Sequence, residues 1–164
     1  MIQIFEPKIY SDSRGWFYES FNDQQLPIKF VQDNHSFSYR NVLRGLHYQI
    51  EKPQGKLVRC IRGKVLDVSV DLRKDSETYG KVFYVTLSDL NRRSVYIPEG
   101  FAHGFIVQSQ VAEFVYKVTD YYCKEGERCI VWNDNTLNID WGVTNPILSD
   151  KDAQGLTWDE APKF

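Results

Sequence analysis

Leu66-Asp67-Val68-Ser69-Val70-Asp71-Leu72 alternates apolar and polar residues without a break. Side chains on a β-strand point to opposite faces in turn, so Leu66, Val68, Val70 and Leu72 share an apolar face and Asp67, Ser69 and Asp71 a polar one. The same period of two recurs in residues 82–87, 94–97, 105–107, 112–118 and 128–132. Between these runs stand turn signals: Arg62-Gly63-Lys64, Ser88-Asp89-Leu90-Asn91, Pro98-Glu99-Gly100 and Asn133-Asp134-Asn135. Strands spaced roughly 8 to 12 residues apart predict an all-β sandwich or barrel. Helix is confined to a turn near residues 22–26 and another near 149–154. No repeat, low-complexity run or internal linker interrupts residues 1–164, which are expected to form one domain.

The chain has 164 residues, enough for a single core burying roughly 70% of the surface its unfolded form exposes. Its 20 basic and 22 acidic residues give a net charge of -2 without long runs of either sign. That argues against a nonspecific nucleic-acid or membrane footprint, and an anionic ligand must be held by local cations. Cys60, Cys123 and Cys129 are odd in number and lack CxxC spacing, which fits a reducing compartment and disfavours a cysteine zinc site. The amino end has no basic segment followed by an apolar stretch, and no run approaches the ~18 apolar residues of a membrane span. These features predict a cytoplasmic protein.

Chemistry concentrates in Val42-Leu43-Arg44-Gly45-Leu46-His47-Tyr48-Gln49 and, a few residues on, Gly55-Lys56-Leu57-Val58-Arg59. An imidazole, a guanidinium and an ammonium near one cavity can hold a phosphorylated ligand and move a proton, since only histidine has an unperturbed pKa close to neutral. The alternative is a hydrogen-bonded core histidine with two solvated cations. In an ideal strand Arg44 and His47 face opposite ways. Both reach one ligand only if the strand twists or bulges, with Gly45 the candidate place.

In Ile97-Pro98-Glu99-Gly100-Phe101-Ala102-His103-Gly104-Phe105 a tight turn ends one strand and delivers His103 to the next. This stretch resembles the second motif of the cupin superfamily, whose fold is a small jelly-roll barrel with an internal cavity. A metal cupin brings a His-x-His pair and a carboxylate from its first motif, because a divalent ion needs three or four converging ligands. Here Tyr48 and Gln49 follow His47, and the chain has only three histidines. No metal is expected. Further on, in Ala112 to Tyr122, Phe114, Tyr116 and Val118 share one strand face, so Tyr116 offers its phenol to the cavity if that face lines it. A phenol can donate a proton to an enolate if the site modestly lowers its pKa; otherwise Tyr116 is a packed aromatic with a backbone partner.

Glu6-Pro7-Lys8, Asp12-Ser13-Arg14-Gly15, Val31-Gln32-Asp33-Asn34-His35-Ser36, the Arg-Gly-Leu-His-Tyr-Gln and Gly-Lys-Leu-Val-Arg segments, Asp67 to Asp71 and the two stretches above together resemble the dTDP-4-dehydrorhamnose 3,5-epimerase family, in order and at similar spacing. The resemblance runs from about Ile4 to Trp158. It implies a cupin-type jelly-roll barrel with short peripheral helices, without metal or cofactor, working as a homodimer in deoxysugar biosynthesis. The implied substrate is a nucleotide-diphosphate 4-keto-6-deoxy sugar inverted at C3 and C5. By resemblance His47 is the base, Tyr116 the acid, Asp152 the carboxylate that orients the imidazole, and Lys56 the cation beside the enolate oxygen. His103 falls in the sugar pocket. Arg14, Glu19, Gln32, Asn34, Arg44, Glu127 and Lys151 match diphosphate and nucleotide contacts, and Tyr122 the aromatic that stacks on the base. Relatives on this scaffold include a 3-epimerase, a 5-epimerase and a 3,4-ketoisomerase. A non-catalytic nucleotide-sugar binder and a metal-dependent cupin are the readings from other classes.

Overall fold

A computed structural model describes all residues, Met1–Phe164. In chain order the elements are β1 (Gln3–Phe5), β2 (Tyr10–Asp12), β3 (Gly15–Phe17), β4 (Gln32–Tyr39), β5 (Leu43–Gln49), β6 (Lys56–Arg62), β7 (Lys64–Asp71), β8 (Val82–Ser88), β9 (Ser94–Ile97), β10 (Phe101–Val107), β11 (Val111–Val118), β12 (Glu127–Cys129) and α1 (Asp150–Ala153). Two five-stranded antiparallel sheets, ordered β1-β9-β6-β11-β4 and β12-β5-β10-β7-β8, form a jelly roll, and β2 and β3 make a separate hairpin. The sheets hydrogen-bond as separate units, so the barrel is open. Residues 22–26 form one hydrogen-bonded turn, with the Leu26 N–H on the Asn22 carbonyl at 3.1 Å.

The apolar face of β7 lies outside the jelly roll. Val68, Val70 and Leu72 pack with Leu43, Leu46 and Tyr48 beneath Trp141, Trp158 and Ala161 of the carboxyl-terminal segment. Between the sheets lies a second core of Val58, Val65, Leu87, Val95, Ile97, Phe101, Phe105 and Phe114. The polar face of β7 belongs to this inner side, since Asp67 pairs in register with Phe105 and Asp71 with Phe101. Asp67, Ser69 and Asp71 are therefore all buried. Each needs internal partners. Asp71 obtains them from Arg73, Ser76 and Thr78, with oxygens 2.6 to 2.9 Å from these side chains.

Two strand expectations need correction. The strand predicted over 128–132 ends at Cys129, because the Val131 N–H turns to the Leu156 carbonyl at 2.8 Å and the chain joins the carboxyl-terminal cover. The strand predicted over 105–107 begins at Phe101, directly after the Pro98-Glu99-Gly100 turn.

Candidate active site

His47 stands on β5 and His103 on β10, paired across the two strands. Between them and the other ends of these strands the register slips: three residues of β10, His103 to Phe105, face four of β5, Arg44 to His47. The extra residue resolves the parity conflict between Arg44 and His47. Gly45 makes the bulge possible, with φ of 127° and a Cβ position that would lie 2.5 Å from the Cα of Gly104. Arg44 and His47 consequently both line one cavity of about 320 Å³, together with Lys56, His103, Tyr116, Tyr122, Glu127 and Lys151. Ser36, Gly104, Phe105 and Phe114 complete its wall. The sheet of β5 and β10 supplies the histidines, and the opposite sheet supplies Lys56 from β6 and Tyr116 from β11.

His47 Nε2 donates to Asp152 Oδ1, 105 residues away in the chain. Asp152 is almost fully buried. Burial alone would raise its pKa; the hydrogen bonds from His47 and Ser149 and the nearby imidazole outweigh that and hold the carboxyl below its ordinary range. Burial also acts on the imidazole, depressing His47 below 6.5 although Asp152 pulls upward, with Lys151 and Lys56 adding to the depression. With Nε2–H given to the carboxylate, Nδ1 is the free basic nitrogen.

Lys56 Nζ donates to the His47 carbonyl at 3.3 Å. Burial brings its pKa down to about 8, against the pull of Asp67 and Glu127. It remains a cation at pH 7. For Tyr116 the condition of a lowered pKa is not met: burial raises it above 10, although Arg44 and Lys151 act in the lowering direction. It keeps its proton throughout the neutral range. His103 Nε2 bonds to Asp67 Oδ2 at 2.7 Å, and its ring stacks at 6.2 Å on Phe114. At the mouth, Lys151 Nζ reaches Glu127 Oε1 at 2.8 Å, and the Tyr122 hydroxyl donates to Glu127 Oε2 at 3.1 Å. Arg44 is steadied by the Ser38 hydroxyl at 3.0 Å.

Other expected contacts lie elsewhere in the chain. Asn34 pairs directly with Tyr116, and Gln32 with Val118, across β4 and β11; the Gln32 amide donates to Asn34 Oδ1 at 2.7 Å. Arg14, at the tip of the β2–β3 hairpin, is exposed and paired with Asp12 at 2.6 Å. Glu19 lines a hollow bounded by Ile4, Tyr18 and Arg92, away from His47. Strand β1 pairs with this chain's own β9, Gln3 opposite Tyr96 and Phe5 opposite Ser94.

Asp67 and Ser149 hold site residues and were not singled out as site residues from sequence. Asp67 carried a signal, being a carboxylate on an alternating strand now buried on both faces. Ser149 carried a weaker one, as a serine opening a predicted helical turn. Metal-ligating atoms gather at His47, Cys129 and Asp152, within 4.8 Å of one another. Burial pushes the Cys129 thiol up to about 12, so it keeps its proton. Asp152 already accepts from His47 and Ser149. This donor set serves the imidazole. No helix is long and apolar enough to cross a membrane.

The family model for dTDP-4-dehydrorhamnose 3,5-epimerase matches residues 2–160. The dTDP-4-dehydrorhamnose 3,5-epimerase of Shigella flexneri is 54% identical over 99% of this chain and 94% of its own length. That of Pseudomonas aeruginosa is 53% identical over 98% of this chain and 93% of its own. Among solved structures, the dTDP-6-deoxy-D-glucose-3,5-epimerase of Legionella pneumophila, in complex with dTDP-4-keto-L-rhamnose, has a TM-score of 0.93 and 49% identity, covering 98% of this chain and 89% of that one. Agreement of this extent in both sequence and fold places the chain in the dTDP-4-dehydrorhamnose 3,5-epimerase family.

Proposed function

We propose that this chain inverts C3 and C5 of a dTDP-linked 4-keto-6-deoxyhexose, converting dTDP-4-dehydro-6-deoxy-glucose to dTDP-4-dehydro-rhamnose by proton transfer beside the ketone. The observation that carries this reading is the position of His47 and Tyr116 on opposite sheets around one cavity. A sugar between them meets a base on one face and an acid on the other. His47 Nδ1 takes the proton from the carbon next to the ketone, and the electron pair moves to the keto oxygen as an enolate. The Lys56 ammonium stabilises that oxygen. Tyr116 returns a proton to carbon from the opposite side, since even with its pKa raised a neutral phenol is a stronger acid than the C–H bond that forms, and solvent exchange resets both residues. The reaction is redox-neutral, and these side chains supply the base, acid and cation it requires.

Arg44 and Lys151 grip the diphosphate, Glu127 fixes Lys151 and Tyr122, and the exposed Tyr122 ring stacks on the base. Arg14 and Glu19 serve from a second copy of the chain. In support, the β2–β3 hairpin that carries Arg14 exposes Tyr10, Trp16 and Phe17, and strand β4 exposes Phe37 and Tyr39, an apolar surface suited to a homodimer. The three free cysteines support a cytoplasmic location.

Proton NMR in heavy water tests the reaction. The purified protein with dTDP-4-dehydro-6-deoxy-glucose is expected to exchange hydrogen at both C3 and C5 and to form the inverted product. Exchange at one carbon alone would reassign the chain to a 3- or 5-epimerase. Ketone migration would make it a 3,4-ketoisomerase, and no exchange would sink the catalytic reading.

A further inference from the structure

Helix α1 is a single turn, Asp150–Ala153. Four residues cannot hold a helix by themselves. Tertiary anchors flank it: Ile147 hydrogen-bonds to Asn41 and Leu43 at 2.8 and 3.0 Å, and Leu156 to Cys129 and Val131 at 2.8 Å each. These anchors include β5 and β12, of which β5 carries His47. At the start of the turn stands Ser149, whose hydroxyl makes two bonds to one residue. It accepts the Asp152 N–H at 3.2 Å as an N-cap and donates to Asp152 Oδ2 at 2.9 Å. In an ordinary capping box the acidic side chain serves the helix end. Here it is buried, and its other oxygen holds His47.

We propose that Ser149 is a positioning residue of the epimerase reaction: its hydroxyl fixes the Asp152 carboxylate so that the imidazole of His47 presents Nδ1 to the sugar, and α1 is the mount for that carboxylate. The inference rests on the function proposed above. Losing the hydroxyl leaves the carboxylate with the His47 ring and the Gly45 N–H as its remaining partners and loosens its plane. The ring then loses its fixed tilt, which matters because small misplacements of a reacting group reduce rate steeply.

The hydroxyl also bears on proton affinity. Around the pair stand Lys151 on α1, Cys129 and Glu127 from β12, and Lys56 from β6. None of these replaces the short hydroxyl bond to Oδ2, since the Cys129 thiol faces Oδ1 at 3.9 Å. Withdrawing a donor from an anion makes the His47–Asp152 pair bind its next proton more readily. The acid limb of kcat/KM therefore moves to higher pH.

Three substitutions separate this role from plain helix capping. Ser149→Thr keeps the hydroxyl, Ser149→Gly caps nearly as well as serine without one, and Ser149→Ala loses both. In purified full-length protein, Gly and Ala variants are expected to lose kcat at least about 10-fold at unchanged KM, with the acid limb raised by about half a pH unit, while Thr stays within about 2-fold of the parent. A Gly variant with parental turnover overturns the inference. So does a Thr variant no better than Gly, or turnover that merely follows melting temperature from Thr to Gly to Ala. Absence of hydrogen exchange in the parent protein would instead defeat the epimerase reading, and the two failures are distinguishable.

Discussion

Two histidine–carboxylate pairs face the same cavity and differ in almost everything else. The His47 and Asp152 side chains are 28% and 5% exposed, whereas His103 and Asp67 are 8% and 2% exposed. Asp152 rides on a single helical turn outside the sheets, and Asp67 on the strand that hydrogen-bonds to the strand of His103. His47 is depressed by burial yet keeps a nitrogen open to the cavity. His103 is stacked on Phe114 and packed within the inner face. The difference teaches that a shared pair of residue types sets no role. His47 keeps an edge open to the cavity, as the proposed base requires, and enclosure makes His103 a fixed wall of the pocket.

The sharpest way to break this comparison is the same substitution at both histidines. His47→Asn is expected to lower turnover at least about 100-fold while dTDP binding survives, because general base catalysis contributes roughly 10² to 10⁴. His103→Asn is expected to act first on stability, by about 1–3 kcal/mol, since it disturbs the buried carboxylate of Asp67. Turnover and urea-denaturation measurements on both variants check this. Near-normal deuterium wash-in by His47→Asn would transfer the base to another residue.

Tyr116→Phe tests the opposite wall. The ring packing is kept and one hydroxyl is lost, so the fold is expected to stand. Substrate hydrogen should still exchange with solvent, while inverted product falls by about 100-fold. Unchanged inversion would assign the returning proton to water or to another side chain.

The pH profile of kcat/KM separates the groups again. Burial depresses His47 below its ordinary value, so the acid limb is expected to have its midpoint below 6.5. Lys56 loses its charge as pH rises through about 8, which places the alkaline limb there. Tyr116, held above 10, contributes nothing to that limb. Lys56→Arg keeps a cation at all accessible pH and should abolish the alkaline limb. An unmoved limb would show that Lys56 does not serve the ketone.

The smallest effect belongs at the mouth. Arg44→Ala is expected to weaken dTDP binding about 10-fold, and added salt to weaken it in the parent protein. Calorimetric titration with dTDP, UDP and CDP measures both this loss and the preference for the base. Binding of none of the three would sharpen the comparison differently, by separating the proton-transfer walls from any nucleotide grip.

Much of the molecule follows from local sequence. Strict alternation at 66–72 and its repeats dictate strands because a pleated backbone sends successive side chains to opposite sides. The Arg44 to Gln49 and Ile97 to Phe105 motifs place both histidines on strands, and the parity of Phe114, Tyr116 and Val118 aims the phenol inward. Alternation defines two faces, however, without saying which one is inside. In β7 both are covered, the apolar one by the carboxyl-terminal segment and the polar one by the opposite sheet, so tertiary packing alone decided that Asp67 meets His103. The bulge at Gly45, which turns Arg44 and His47 to one cavity, needs the neighbouring Gly104 backbone to be seen. The His47–Asp152 pair spans 105 residues. No local rule of strand or helix relates positions that far apart; their meeting is fixed by the anchors that dock α1 against β5 and β12, and the environment that sets their proton affinities exists only once that docking has excluded water.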